Sequence, residues 1–234
     1  MGLKIPTGCR GLDEILDGGL NVDNISLIYG EAETAKTTLA MQCTVNCARK
    51  GCKALFVDCD GSFSTRRLSQ IASNDFGKIA ELVILARPKD FKEQATLINQ
   101  LANYVAKGFG LVVFDTITFL YSLEVAEKPE ETFTLNRELN RQMAELAQIA
   151  KTYKLAVLVT SQVRSVFEDV YVNVEPVATR VLKFWADSVI AMKPTENTNV
   201  VKACVEKKFS LTHSAFCLLK ISEAGLSDFP SPSS

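Results

Sequence analysis

Short apolar runs alternate with amphipathic stretches along most of this sequence. Five apolar runs predict buried strands, at residues 25–29, 53–58, 82–85, 111–115 and 155–160. Apolar side chains recur at helical spacing between these runs, which predicts helices at about 36–49, 65–72, 90–106 and 132–153. Buried strands that alternate with helices form parallel sheets covered on both faces. The pattern therefore predicts an α/β fold with three layers and a mostly parallel sheet.

The C-terminal part differs, because its apolar runs follow one another without helices between them. Residues 186–192, 200–206 and 215–221 predict further strands, with a polar turn at 194–199. Successive strands joined by short turns favour antiparallel pairing. Residues 228–234 hold two prolines and three serines, which predicts a disordered C-terminal tail. We therefore expect one domain over residues 1–227 and a tail over residues 228–234.

One stretch, residues 25–39, carries the main chemical signal. Its strand ends at Gly30, and Lys36, Thr37 and Thr38 open the next helix. Strand, glycine-initiated loop, Lys-Thr and helix form the layout of a phosphate-binding loop. Loop N–H groups and the helix dipole would then face a triphosphate, with Lys36 near its β- and γ-phosphates and the Thr37 hydroxyl on Mg²⁺. The alternative is an ordinary strand–loop–helix with a chance Lys-Thr pair.

The loop departs from the usual pattern at two positions. Ala35 stands where the pattern has its second glycine, and a left-handed backbone there would cost about 1 kcal/mol with alanine. Glu33 places a carboxylate near the expected phosphates, which disfavours binding unless the side chain points outward. We still expect the nucleotide to contact the whole loop, which also includes Glu31, Ala32 and Thr34.

Two other strand ends supply polar groups. The apolar run 111–114 leads into Asp115, and a buried parallel strand delivers such a carboxylate to the carboxyl edge of the sheet. In a phosphate-loop protein this aspartate holds Mg²⁺, directly or through water; the alternative is a helix cap after a core strand. Gln162 follows the run at 155–160. Its amide could sense a γ-phosphate or orient water, or it could be a plain residue at a strand end.

Bulk composition limits the classes of partner. The formal net charge is −1, so no global positive field attracts nucleic acid, and any DNA contact must come from a local patch. The seven cysteines are scattered without a Cys-x-x-Cys pair, so we expect no zinc site. Cys43 and Cys47 lie one helical turn apart and are expected in the core. The lack of a signal peptide and of a bilayer-spanning apolar stretch predicts a cytoplasmic protein without membrane contact.

Several short motifs follow one another along nearly the whole chain. They are Thr7-Gly8, Gly11-Leu12-Asp13, Gly30-Glu31, Lys36-Thr37-Thr38-Leu39, Val57-Asp58 with Asp60-Gly61-Ser62-Phe63, Arg67-Leu68, Asp90 to Gln94, Leu111 to Asp115, and Gln162-Val163. In this order and spacing they resemble the core of the RecA/RadA recombinase family, and within it the short archaeal paralogues. The resemblance implies a RecA-like ATPase core that binds ATP and Mg²⁺ through Lys36, Thr37 and Asp115.

The resemblance also implies roles for other residues. Arg67 is similar to the arginine that lies over adenine, and Gln162 to the sensor at the root of the second DNA-binding loop. The pair Lys207-Lys208 lies where relatives carry basic residues that reach a nucleotide across a subunit interface; a solvated strand end is the alternative.

Two departures from the family affect the expected rate of hydrolysis. Asp60 stands where recombinases carry the glutamate that activates water, and it is one methylene shorter. Attack geometry is sensitive at the ångström scale. The family usually has glycines in the loop where Glu33 and Ala35 stand. We therefore expect weak ATP hydrolysis at best.

The two loops that bind DNA in recombinases are acidic here. Residues 121–131 carry a formal charge of about −3 and residues 163–179, which we expect to be irregular, about −2. Because cations supply the affinity for phosphates, we expect DNA binding to be weak and salt-sensitive, or to require a partner. The helical N-terminal domain of recombinases and its linker have no counterpart in the sequence. We therefore expect a monomer or small homo-oligomer rather than long filaments.

These residues favour an accessory ATPase of homologous recombination and DNA repair. It would modulate a recombinase of the RadA type, or other repair proteins, on single-stranded DNA. One alternative is a KaiC-like nucleotide-dependent switch that acts through protein partners without DNA, which the acidic loops favour. Another is a scaffold that has lost ATP binding, which the altered phosphate loop favours.

Overall fold

The computed structural model describes residues 3–105, 108–168, 171–208 and 214–230. The strands in this part of the chain are β1 (Lys4–Ile5), β2 (Leu20–Asn21), β3 (Ile25–Gly30), β4 (Lys53–Asp58), β5 (Val83–Ala86), β6 (Phe109–Asp115), β7 (Ala156–Ser161), β8 (Val163–Glu168), β9 (Tyr171–Pro176), β10 (Ser188–Pro194), β11 (Val200–Lys207), β12 (Ala215–Ser222) and β13 (Gly225–Asp228). The helices are α1 (Arg10–Ile15), α2 (Lys36–Arg49), α3 (Thr65–Ala72), α4 (Phe76–Ala80), α5 (Phe91–Tyr104), α6 (Phe119–Glu127), α7 (Thr132–Tyr153) and α8 (Thr179–Trp185), with 3-10 turns at Ser73–Asp75 and Pro129–Glu131.

One sheet of nine strands organises the chain. Its order is β13-β12-β11-β10-β3-β7-β6-β4-β5. The strands from β10 to β5 pair in parallel, and β11, β12 and β13 pair antiparallel. Every residue of β3 and β7 is buried, as expected for strands covered on both faces. The predicted α/β architecture, a mostly parallel sheet with antiparallel C-terminal strands, is confirmed.

Helices cover both faces of this sheet. On one face, α1, α2 and α3 pack in a cluster that includes Leu12, Met41 and Leu68. On the other face, α5, α6, α7 and α8 pack in a second cluster. Cys43 and Cys47 are fully buried in the first cluster, as predicted. The carboxyl ends of the parallel strands therefore meet at one edge, the usual place for ligand sites in such sheets.

Two segments predicted as loops form regular structure instead. Residues 119–127 form α6, with Leu120 and Tyr121 buried in the second cluster. The prediction of a loop considered only the charged residues of this segment and overlooked its apolar side chains. Residues 163–168 and 171–176, predicted to be irregular, form the antiparallel pair β8–β9. Valines recur through both segments, and β-branched residues favour paired strands.

The predicted tail begins too early, because β13 runs through Asp228. The Asp228 carboxylate accepts hydrogen bonds from the N–H groups of Arg10 and Gly11, at 2.9 and 2.8 Å. It therefore caps α1 from the other end of the chain. Residues 231–234 lie outside the described residues. No helix within the described ranges is long and apolar enough to cross a membrane.

Candidate nucleotide-binding site

Gly30 ends the central strand β3 in a space that fits only a glycine. A Cβ atom at this position would lie 2.2 Å from the carbonyl oxygen of Met192 and 2.8 Å from Thr34 Oγ1. Met192 is the register partner of Gly30 on the neighbouring strand β10. The close approach of these two strands therefore fixes where the loop from residue 31 to 35 begins.

Two loop residues without a glycine's freedom adopt left-handed backbone conformations. Glu33 has φ 63° and Ala35 has φ 62°, and these are the positions where the resemblance places glycines. Each costs on the order of 1 kcal/mol for a residue with a Cβ. Ala35 also provides no side-chain cap for α2. The first N–H groups of α2 therefore receive no acceptor from a capping side chain. An anion such as phosphate, which helix N-termini bind, can accept hydrogen bonds from them.

Lys36 lies under the loop rather than in solvent. Its side chain is buried, and Nζ donates a hydrogen bond of 2.5 Å to the carbonyl oxygen of Glu31, which also accepts from Thr34 Oγ1 at 2.8 Å. Desolvation lowers the pKa of Lys36, while the nearby carboxylates of Asp115, Asp60 and Glu31 oppose this shift. The loop therefore holds a cation at its centre, with acidic groups around it.

Asp115 ends β6 and is fully buried beside Thr37. Thr160 Oγ1 donates to Asp115 Oδ1, and the Thr37 side chain lies close enough to lower the pKa of this carboxylate. The other oxygen, Oδ2, is buried without a hydrogen-bond partner among the described residues. Desolvation by burial raises the pKa of Asp115 to about 6. An orphaned carboxylate oxygen next to a hydroxyl is the donor set that Mg²⁺ uses when phosphates complete its shell.

Asp60 lies in the loop after β4, close enough to Lys36 and Asp115 to affect the pKa of both. Its Oδ2 accepts from Thr116 Oγ1 at 3.1 Å, and its Oδ1 accepts from the N–H of Ser62 at 3.0 Å. Both oxygens are thus held by neighbouring groups. Four predicted residues, Lys36, Thr37, Asp60 and Asp115, therefore converge on one place.

An ion pair between the exposed Arg87 and the buried Asp58 braces the loop that carries Asp60. Arg87 Nε donates to Asp58 Oδ2 at 2.8 Å, and Asp58 Oδ1 accepts from the N–H of Phe63 at 3.3 Å. The Asp58 side chain is fully buried. Its hydrogen bond with Phe63 joins the two ends of the loop that carries Asp60.

The structure does not bring Arg67 and Gln162 to Lys36 by any described contact. Arg67 donates to the carbonyl oxygens of Ser222 and Glu223 at 2.8 and 2.9 Å, which fastens α3 to the β12–β13 turn. Gln162 is exposed just after β7, and its carbonyl accepts from the N–H of Val177 at 3.0 Å. Their predicted roles therefore stay predictions.

The pair Lys207-Lys208 is engaged within the chain. Lys207 Nζ donates to the carbonyl oxygens of Lys183 and Ala186, and Lys208 Nζ donates to the carbonyl of Ile15 and lies 2.5 Å from Asp17 Oδ2. These bonds support the loop after α1 and the start of β10. These contacts give both lysines a structural role within the chain.

Sequence reasoning missed Thr160, Thr116 and the Asp58–Arg87 link. Thr160 lies near the end of β7, which pairs with β6 in parallel. A threonine at the end of one apolar run, beside an aspartate at the end of another, was the available signal. It becomes informative only when the order of strands in the sheet is known.

Comparison with known proteins agrees with this geometry. The sequence pattern of the Rad51 family matches residues 2–229. The chain belongs to the Rad51 family. Within this family it is similar to two proteins named DNA repair and recombination protein RadB, from Methanobrevibacter smithii and Thermococcus onnurineus, each 31% identical over 227 residues. The first alignment covers 95% of both chains, and the second covers 96% of this chain and 97% of the relative.

A crystal structure of the RadB recombinase has the same fold as this member of the Rad51 family. It is 28% identical, with a TM-score of 0.82, over 97% of this chain and 100% of that chain. The predicted resemblance to the short archaeal paralogues is thus confirmed along nearly the whole sequence.

The residues present in this Rad51-family chain fit ATP with Mg²⁺. The first turn of α2, the centred Lys36 and the left-handed loop suit phosphates. Thr37 and the orphaned Oδ2 of Asp115 suit the ion. The described residues contain no group of three His, Cys, Asp or Glu that could hold a metal, and Mg²⁺ bound with a nucleotide needs only one or two carboxylates.

Proposed function

We propose that this chain is an ATP-binding accessory protein of homologous recombination and DNA repair. It binds ATP with Mg²⁺, hydrolyses ATP weakly, and modulates a RadA-type recombinase on DNA. The names of its relatives support the recombination role. The observation that carries the nucleotide site is the fully buried Asp115, whose Oδ2 has no partner in the described chain although Thr37 and Lys36 lie beside it.

Each residue of the site has a separate task in this proposal. Lys36, released from the Glu31 carbonyl, would hold the β- and γ-phosphates, and the N–H groups from Glu31 to Thr38 would line them. Thr37 and Asp115 would hold the ion, which when bound neutralises phosphate charge. Glu33 is exposed, so its carboxylate can stay in solvent.

Weak hydrolysis follows from Asp60. We assign it the role of orienting or activating water, although its short side chain is already held by Thr116 and Ser62. A catalytic base must reach the attacking water within hydrogen-bond distance, and a carboxylate tied down on both oxygens is poorly placed for this. Gln162 would sense the γ-phosphate, and Arg67 would lie over adenine after leaving the β12–β13 turn.

The protein acts in the cytoplasm as a monomer or small homo-oligomer, and it contacts single-stranded DNA weakly. Its modulation of the recombinase therefore depends more on protein contact than on its own affinity for DNA, because the acidic α6 weakens phosphate binding.

The test of the nucleotide site is Lys36→Ala. Wild-type protein with ATP and Mg²⁺ should show a raised melting temperature, since a ligand at about 100 times its Kd stabilises the folded state by about 2.7 kcal/mol. Lys36→Ala should lose this shift, because the phosphates lose their only buried cation in the described loop. Differential scanning fluorimetry with and without ATP·Mg²⁺ measures both.

The matched control is Lys50→Ala, at the exposed C-cap of the same helix α2. It removes the same charge from the same helix, so it should keep the full ATP-dependent shift. An equal shift in Lys36→Ala and wild type would show that ATP binds elsewhere or not specifically.

A further inference from the structure

Two helices on one face of the sheet expose aromatic rings that the nucleotide site does not use. Phe133 near the start of α7 is 74% exposed, and Phe184 on α8 is 73% exposed. The Phe184 ring packs edge-on against Trp185, with centroids 5.1 Å apart. Trp185 in turn donates its indole N–H to Asn140 Oδ1 on α7 at 2.9 Å. The aromatic pair is therefore held in place while Phe184 faces solvent.

Two arginines lie on the same surface. Arg137 is one turn after Phe133 and one turn before Asn140, so these three residues share a face of α7. Arg180 precedes Phe184 by one turn on α8. Both arginines are exposed, and neither has a hydrogen-bond or ion-pair partner among the described residues.

These side chains lie on two helices that contact each other. α7 leads into β7 and α8 leads into β10, and these two strands both pair in parallel with β3. The two helices therefore run in the same direction over one face of the sheet, and the Asn140–Trp185 bond fixes which sides meet. We name this surface the aromatic–arginine ridge; it consists of Phe133, Arg137, Arg180, Phe184 and Trp185.

We propose that the aromatic–arginine ridge docks a protein partner that offers aliphatic side chains flanked by carboxylates. Aromatic residues and arginine are the side chains most enriched at the energetic centres of protein interfaces. Carboxylates would form charge-assisted bonds with the guanidinium groups of Arg137 and Arg180. Aliphatic groups would cover the two phenylalanine rings, which are now in water.

The surrounding charges favour a protein over a nucleic acid. Glu130 and Glu131 immediately precede α7, close in sequence to Phe133. Two further cations on these helices are already engaged: Lys183 by Glu206 at 3.3 Å and by the Tyr29 ring, and Arg141 by Glu138 at 2.7 Å. Arg137 and Arg180, with carboxylates nearby, give little phosphate affinity, because this affinity rises with the number of cations in contact.

The choice of first probe rests on the proposed function, which gives a RadA-type recombinase as the partner. The purified recombinase of the same organism is titrated onto the full chain, and Kd is measured by biolayer interferometry. Phe184→Ala and Arg180→Glu should each weaken binding about tenfold or more, as loss of an interface hot spot does. Added salt should weaken the wild-type complex, because part of the contact is ionic.

The matched control is Phe216→Ala. Phe216 is 57% exposed on β12, at another part of the surface, so its loss removes a similar aromatic ring and should leave Kd unchanged. Hydrogen exchange of the complex should show protection in peptides that cover the start of α7 and the whole of α8.

Three outcomes overturn the inference. If the ridge variants bind like wild type, or if protection lies elsewhere, the ridge is not the docking surface although the partnership stands. If these variants lose binding of a labelled oligo(dT) strand but keep the recombinase, the ridge is a nucleic-acid surface. If wild type does not bind the recombinase at all, the partnership fails with the inference. The ATP site is tested separately by Lys36→Ala.

Discussion

At the scale of single residues, Asp115 shows how burial sets chemistry. Its folded-state pKa is about 6, against an ordinary value of 3.8, because desolvation disfavours the charged carboxylate and Asp60 adds repulsion. The hydrogen bond from Thr160, the neighbouring Thr37 hydroxyl and the charge of Lys36 offset this rise in pKa only in part. The carboxylate is therefore poised to ionise when a cation arrives.

This pKa predicts that binding of ATP with Mg²⁺ weakens as pH falls through about 6, because a protonated Asp115 cannot ligate the ion. Without ligand, the free energy of unfolding changes with pH in the opposite direction. The native state binds the proton more tightly than the unfolded state does, so this group's contribution falls as pH rises from about 4 to about 6, by on the order of 3 kcal/mol. Calorimetric titration and urea unfolding at several pH values measure the two effects. Asp115→Asn should remove both, and an unchanged pH profile in that variant would contradict the assignment.

Ala35 gives a second prediction at this scale. Because it has φ 62°, Ala35→Gly should relieve strain of about 1 kcal/mol, less the greater backbone entropy of glycine when unfolded. We expect the free energy of unfolding in urea to rise by about 0.5 kcal/mol and ATP to bind no worse. Ala32→Gly is the control, since Ala32 is not at positive φ and should lose stability. Equal losses in both variants would show that the backbone at Ala35 is not strained.

At the scale of elements, local signals placed most helices and strands, and α5 shows why. The predicted cap Asp90 accepts from the N–H of Glu93 at 2.6 Å, and Glu93 accepts from the N–H of Lys89 at 2.8 Å. Cap and apolar face lie within one short segment. The sequence therefore contains all that this helix start requires.

The cap predicts a measurable loss. Asp90→Ala should lower the free energy of unfolding by about 1 kcal/mol, because a donor of the first turn of α5 loses its acceptor. Asp90→Asn keeps an acceptor oxygen and should cost much less. Denaturant unfolding of the two variants separates them. A similar loss in both would assign the effect to charge rather than to capping.

Other elements depended on distant residues. Capping of α1 by Asp228 joins positions more than two hundred residues apart in the sequence, so no local pattern could show it. The acidic residues of 121–131 suggested a loop, yet Leu120 and Tyr121 pack in the core and make α6 a helix. In each case tertiary burial overrode the local composition.

At the scale of the whole molecule, we expect the charge distribution to govern any response to DNA. The formal net charge is −1, and α6 with the turn after it carries the glutamates of one family DNA-binding segment. We predict weak binding of a labelled single strand at low salt, lost at about 0.2 M salt, because few cations are available to release counterions. Fluorescence anisotropy with and without the RadA-type recombinase measures this. Tight binding at high salt by the chain alone would contradict the prediction.

The sequence by itself determined the layers of this protein and predicted that residues 30–38 form a phosphate-binding loop. Buried strands, amphipathic helices and the Gly30 to Thr38 motif are local patterns, and each contains the residues that cause it. The order of strands in the sheet was decided only in three dimensions. It placed Thr160 on Asp115, left one oxygen of Asp115 without a described partner, tied Arg67 to a distant turn and joined α7 to α8 through Asn140 and Trp185. The physical reason is that such contacts join residues far apart in sequence, so they exist only once the core has packed.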